Sequence, residues 1–188
     1  MRLVSGLILI GLMGAGKTTV GRELARRRGM RFADCDQEIM ARTGVSIPII
    51  FEIEGEAGFR RRETQMLDEL TAGADFVVAT GGGAVLDPAN RSLLAARGTV
   101  IYLNVPPLIL WERTRHDRNR PLLQVDDPHA VIEQLHRVRD PLYREIADLV
   151  VDGGRGNPSM MVCQIERALG ALGKKTAPVP APDTTCEP

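Results

Sequence analysis

Lysine is nearly missing from this chain of 188 residues. Of its 24 basic residues only Lys17, Lys174 and Lys175 are lysine, and the other 21 are arginine. Aromatic residues make up 4%, and the basic residues are balanced by 24 acidic ones. A nucleic-acid binder would carry excess positive charge, and one that stacks bases would need more rings, so the composition excludes both. Cysteine is scarce as well. Cys35, Cys163 and Cys186 are odd in number and far apart, which suits neither a disulfide framework nor a zinc knuckle, and the chain reads as reduced and cytoplasmic. No apolar run reaches the roughly 20 residues that cross a bilayer. The apolar opening Leu3 to Met13 follows Arg2 and imitates the core of a signal peptide, but Gly14, Gly16 and Lys17 come next where a small-residue cleavage site would stand. Neither a membrane nor a nucleic acid is expected as a partner.

What is present is ordinary globular composition, with 44% hydrophobic and 26% charged residues, which predicts one domain. Short apolar, β-branched runs at Leu7–Ile10, Phe32–Cys35, Phe76–Ala79, Val100–Leu103 and Leu149–Val151 have the length and residue types of buried parallel strands. Helical periods separate them. Asp87-Pro88, Asp127-Pro128 and Asn157-Pro158 each place a capping side chain before a proline at the first helical position, where a missing N–H costs nothing. The alternation predicts an α/β fold, a parallel sheet flanked by helices on both faces. Residues 1–172 form the expected domain. Residues 173–188, rich in proline and almost without large apolar side chains, read as a disordered tail.

Gly11-Leu-Met-Gly-Ala-Gly16-Lys17-Thr18 fits G-x-x-x-x-G-K-[ST], directly after the first expected strand and before the helix Thr18–Arg28. Glycines at 11, 14 and 16 let a loop wrap its amides around a polyphosphate, with the positive end of the helix dipole aimed at the same point. Gly14, Ala15, Gly16, Lys17, Thr18 and Thr19 form the expected ATP site, with Lys17 bridging the β- and γ-phosphates and Thr18 a ligand of Mg²⁺. The motif alone also covers GTPases and motor ATPases. An Asn-Lys-x-Asp guanine-reading motif has no place in a chain with so few lysines, and a small single-domain kinase remains.

The second expected strand ends in Asp34-Cys35-Asp36 at the carboxyl edge of the sheet, where ligands bind in open α/β folds. Alternation along a strand would point Asp34 and Asp36 the same way, towards Mg²⁺ and an acceptor hydroxyl. Asp36 capping the helix Gln37–Arg42 is the alternative, and both can hold at once. Arg60, Arg61 and Arg62 occupy consecutive helical positions about 100° apart, so they cannot all serve one ligand. Thr80 leads into Gly81-Gly82-Gly83, where missing side chains admit a ligand to the backbone or simply form a tight turn.

In this order GLMGAGKTT, DCD, SIPIIFEIEGEAGFRRRE, TGGGAV, RNRPLL and RDPLYRE resemble the shikimate kinase family over about residues 5–172. The resemblance implies a P-loop NTPase-type parallel sheet of the nucleoside-monophosphate-kinase kind with a lid at about 114–127. It implies a monomeric enzyme that phosphorylates the 3-hydroxyl of shikimate from ATP with Mg²⁺, on the way to chorismate and the aromatic amino acids. Asp36 then matches the aspartate that holds and orients or deprotonates the attacking hydroxyl, and Asp34 the magnesium aspartate behind it. Arg60 and Arg139 match the arginines that grip the substrate carboxylate, Gly81, Gly82 and Gly83 the backbone against which the substrate lies, and Arg120 the lid arginine over the phosphates. Arg113 and the Asn157-Pro158 turn match the adenine platform. The chain departs from the family's Arg-Asn-Pro at that turn, reading Arg155-Gly156-Asn157-Pro158, so Arg155 is assigned no contact to ATP.

Arginine suits a carboxylate because its planar fork supplies two parallel charge-assisted bonds. Other kinases of the same fold acting on gluconate or nucleotides, and a nucleotide-binding module without catalysis, are the alternative readings. His116, His129 and His136 read as polar surface residues, Trp111 and Met160-Met161 as helix core, and Cys35 as a buried strand position.

Overall fold

The computed structural model describes residues 6–115 and 125–175. Five parallel strands, β1 (Gly6–Ile10), β2 (Arg31–Asp34), β3 (Phe76–Ala79), β4 (Thr99–Asn104) and β5 (Leu149–Asp152), form one sheet in the order β2-β3-β1-β4-β5. The helices between and after them are α1 (Lys17–Arg28), α2 (Cys35–Thr43), α3 (Ile47–Leu70), α4 (Pro88–Arg97), α5 (Pro107–Thr114), α6 (Pro128–Ile146) and α7 (Pro158–Lys175). The expected α/β architecture is therefore present.

Strand position explains strand composition. β1 and β3 are buried along their whole length, as interior parallel strands covered on both faces must be, and both read as unbroken apolar runs. β2 and β5 lie at the edges and keep exposed positions, including Arg31 and Val150. The core fills the space between sheet and helices with Ile8, Leu9, Ile10, Leu24, Leu67, Leu94 and Ile101, each fully buried and each stabilising by about 2 kcal/mol through burial alone. The three expected caps are in place: Asp87 accepts from Ala89 N, Asp127 from Ala130 N, and Asn157 from Ser159 N.

Three sequence expectations need correction. β2 stops at Asp34, and Cys35 opens α2 as a buried helical residue, so Asp34 and Asp36 are not related by strand alternation. Asp34 caps that helix, not Asp36: its Oδ1 accepts from Asp36 N at 3.1 Å and Gln37 N at 3.3 Å, because a cap uses the last extended residue. Met160 is not in the core. It is largely exposed on α7, whereas Met161 is buried. The last helix runs to Lys175, and the rest of the expected tail, residues 176–188, lies outside the described ones. Among the described residues no helix is long and apolar enough to cross a membrane.

Candidate active site

The loop between β1 and α1 is shaped by three glycines with positive φ, Gly11 at 140°, Gly14 at 79° and Gly16 at 95°. A Cβ on Gly11 would stand 2.8 Å from the Leu103 carbonyl, so the loop closes only without one. Lys17 begins α1 and donates from Nζ to the carbonyls of Gly11 at 2.7 Å and Leu12 at 2.9 Å. Thr18 donates from Oγ1 to Asp34 Oδ2 at 2.6 Å. Asp34 thus ties the end of β2 to the phosphate loop while capping α2.

A cleft of about 750 Å³ opens here, lined by Gly14 to Val20, Asp34, Asp36, Thr80, Gly82, Arg113 and the segment from Asp152 to Pro158. The structure therefore brings the expected residues Gly14, Ala15, Gly16, Lys17, Thr18, Thr19, Asp34, Asp36, Gly82, Arg113, Asn157 and Pro158 to one cavity. Arg113 joins two walls, donating from Nη1 to Gly14 O at 3.1 Å and from Nη2 to Gly154 O at 2.6 Å. Arg155 lines the same cleft but turns its guanidinium onto Glu112 at 2.6 and 3.2 Å. Arg120 and His116 lie outside the described residues. His129 and His136 sit on α6, and Trp111 packs partly buried against the core with its ring edge-on to His129.

Next to the cleft, four charged side chains converge on Gly81-Gly82-Gly83. α3 is two helices joined at Gly55, whose φ of 69° and ψ of 178° break the helical path. Its second part carries Arg60 and Glu63 towards the triplet. Arg61 points to solvent and Arg62 pairs with Glu54, so one of the three consecutive arginines faces the site. Arg60 Nη1 donates to Glu63 Oε2 at 2.7 Å, and Glu63 is fully buried. Burial raises the Glu63 carboxyl above the ordinary glutamate range, against the opposing pull of Arg60.

A Cβ on Gly81 would collide with Glu63 Oε1 and stand 3.1 Å from Asp36 Oδ1, and one on Gly83 would strike the Arg60 guanidinium. Arg139, buried on α6, donates from Nη1 to Gly82 O at 3.1 Å. Tyr143, one turn later, donates to the same carbonyl at 2.5 Å. Arg60 and Arg139 meet the triplet without lining the main cleft.

Glu63 and Tyr143 were missed in the sequence. The signal was spacing: Glu63 follows Arg60 by three and Tyr143 follows Arg139 by four, the intervals that share a helical face.

The family model described as shikimate kinase matches residues 13–169. The chain belongs to the shikimate kinase family. It is 69% identical over 170 residues to the shikimate kinase of Aromatoleum aromaticum, a match covering 90% of this chain and 97% of that one. The solved shikimate kinase of Acinetobacter baumannii, in complex with shikimate, is 46% identical with a TM-score of 0.88, covering 93% of this chain and 97% of that one. A gluconokinase of Sinorhizobium meliloti shares the fold, with a TM-score of 0.61 at 17% identity over 94% of this chain and all of the other. As a shikimate kinase family member the chain is an ATP-dependent P-loop kinase.

Proposed function

We propose that this chain transfers the γ-phosphoryl group of ATP to the 3-hydroxyl of shikimate, acting as a cytoplasmic monomer. The observation that carries this reading is the cluster of Asp36, Arg60, Glu63 and Arg139 around Gly81-Gly82-Gly83, beside the phosphate loop. A small carboxylated triol needs cationic forks for its carboxylate and an acceptor near its reacting hydroxyl. A neutral sugar acceptor has no use for the forks.

The loop amides and the N-terminus of α1 receive the phosphates, and Lys17 exchanges the Gly11 and Leu12 carbonyls for the β- and γ-phosphates. Thr18 and Asp34 suit Mg²⁺, because that ion takes hard oxygen ligands from one or two protein groups and fills its remaining positions with water and phosphate. Bound there, Mg²⁺ neutralises phosphate charge that builds in the transition state.

Asp36 takes the hydrogen bond of the attacking hydroxyl and receives its proton as the new P–O bond forms. Arg60, steadied by Glu63, and Arg139 fix the carboxylate, so that the hydroxyl is held in line with the γ-phosphorus. Arg113 and the Asn157-Pro158 turn flank the adenine, and the family resemblance assigns to Arg120, which lies outside the described residues, the role of the arginine over the phosphates.

The product identifies the reaction. ³¹P NMR of a mixture of the chain, ATP, Mg²⁺ and shikimate is expected to show ADP and one new phosphomonoester coupled to the proton at C3. ADP with inorganic phosphate and no ester would contradict it.

A further inference from the structure

The carbonyl of Gly82 accepts two donors among the described residues, Arg139 Nη1 at 3.1 Å and Tyr143 Oη at 2.5 Å. A backbone carbonyl has two lone pairs, and a buried one left without a partner is costly. Arg139 has competing demands if it also grips a carboxylate, because its Nη1 then has to leave Gly82 or be shared. Tyr143 has no substrate role to draw it away: it is fully buried, stacked on Tyr102 with ring centroids 4.8 Å apart, and its hydroxyl also meets the Arg139 side chain. Burial also pushes its phenol far above the usual tyrosine range, so it remains a donor at any working pH.

The rest of the segment is similarly held. Gly83 O accepts from Leu86 N, Ala84 O from the buried Asn90, and Val85 O from Arg91. Only at Gly82 is one donor a residue expected to bind substrate.

We propose that Tyr143 is a positioning residue that keeps the Gly82 carbonyl satisfied when Arg139 turns to the substrate carboxylate, and so lowers the cost of engaging that carboxylate. The inference rests on the reading of Arg139 as a carboxylate ligand. Without the Tyr143 hydroxyl, drawing Arg139 away would strip a partly buried carbonyl of its protein partner. Arg139 is then held on the backbone and substrate binding weakens.

The test compares wild-type enzyme with Tyr143→Phe on two acceptors, shikimate and its methyl ester. The Phe variant is expected to raise KM for shikimate about tenfold, the lower end of the cost of an unpaired carbonyl because this one is only partly buried, with kcat and KM for ATP within about twofold. On the ester, which lacks the charge that draws Arg139, the two enzymes are expected to have the same KM. An unchanged KM for shikimate in Tyr143→Phe, or a loss of kcat with both acceptors alike, overturns the positioning role. A wild-type enzyme that handles acid and ester equally well, with Arg139→Lys also harmless, overturns the carboxylate reading of Arg139 instead.

Tyr102→Phe serves as a control, since its hydroxyl bonds Asp140 at 2.9 Å, and it is expected to leave KM unchanged. If Tyr143→Phe does not fold, the hydroxyl proton of Tyr143 in the wild-type enzyme answers the question by NMR. It is expected to stay protected from exchange at saturating shikimate, and its loss on binding overturns the proposal.

Discussion

Arg60 donates to Glu63 across 2.7 Å, and the carboxylate that receives it has no exposed surface. Its other oxygen, Oε1, has no hydrogen-bond partner among the described residues and faces the space beside Gly81. Glu63 therefore fixes the direction of a half-buried guanidinium and closes one side of the space beside Gly81.

Removing that carboxylate leaves Arg60 with the exposed Glu56 at 3.1 Å as its remaining ion-pair partner. Glu63→Ala is expected to cost about 3 kcal/mol in urea unfolding, the scale for breaking a buried pair from one side. Glu63→Gln keeps an oxygen for Arg60 and removes a charge whose burial is unfavourable, so its loss is smaller. Equal stability of Glu63→Ala and the wild-type chain would contradict the pairing.

The glycine triplet is unequally crowded. A methyl on Gly83 would displace the Arg60 guanidinium, whereas one on Gly82 meets nothing closer than Met13 N at 3.4 Å. Gly83→Ala is expected to raise KM for shikimate by about tenfold or more, as misplacement of a positioning group does. KM for ATP should stay unchanged. Gly82→Ala leaves the Arg60 guanidinium in place and is expected to raise KM for shikimate less than Gly83→Ala does, since its methyl meets the protein only at ordinary contact distance, 3.4 Å. Steady-state kinetics with each substrate varied separate the two, and the reverse ranking would show that Arg60 does not act where it is placed.

Thr18 and Asp34 share a 2.6 Å hydrogen bond, so the hydroxyl is the group that matters at position 18. Thr18→Ser is expected to preserve turnover, and Thr18→Val to weaken the apparent Mg²⁺ affinity about 10- to 100-fold. Chelation of Mg²⁺ should abolish turnover in all three chains. Mg²⁺ titrations of initial rate provide the check, with an unaffected Thr18→Val as the contrary result.

Acid stability has an identifiable contributor on α1. Hydrogen bonds from Arg26 and then Arg27 lower the Glu23 carboxyl to about 2, from an ordinary 4.5. A depressed folded-state pKa stabilises above the unfolded value and loses that effect as pH falls through the folded one. The difference in Tm between wild type and Glu23→Gln is thus expected at pH 7 and should close between pH 5 and 2. It should also shrink with added salt, because the group is exposed. A gap that widens in acid would contradict the pairing.

The sequence showed the sheet because β1 and β3 are buried along their whole length and carry little but apolar residues. It showed the phosphate loop because glycine spacing and Lys17 are fixed by backbone geometry. The Asp34-Cys35-Asp36 turn misled, since one residue decides whether a strand ends or continues, and Asp34 does so by capping α2. Met160 was misread because an apolar residue beside an apolar neighbour looks like core, yet a ligand cleft is lined by apolar side chains too. The convergence of Glu63 and Tyr143 on the glycine triplet joins α3 and α6 to the same backbone, and nothing within either helix reveals what the other contributes.

The most direct test of the whole account is a coupled ADP-release assay with shikimate, gluconate and nucleoside monophosphates as competing acceptors. The account predicts kcat/KM for shikimate at least about 100-fold above the others, since a nucleotide leaves the arginine forks without a carboxylate, and the open chain of gluconate cannot meet both forks and hold a hydroxyl at Asp36 at once. Efficient turnover of gluconate or a nucleotide with shikimate inert would contradict it.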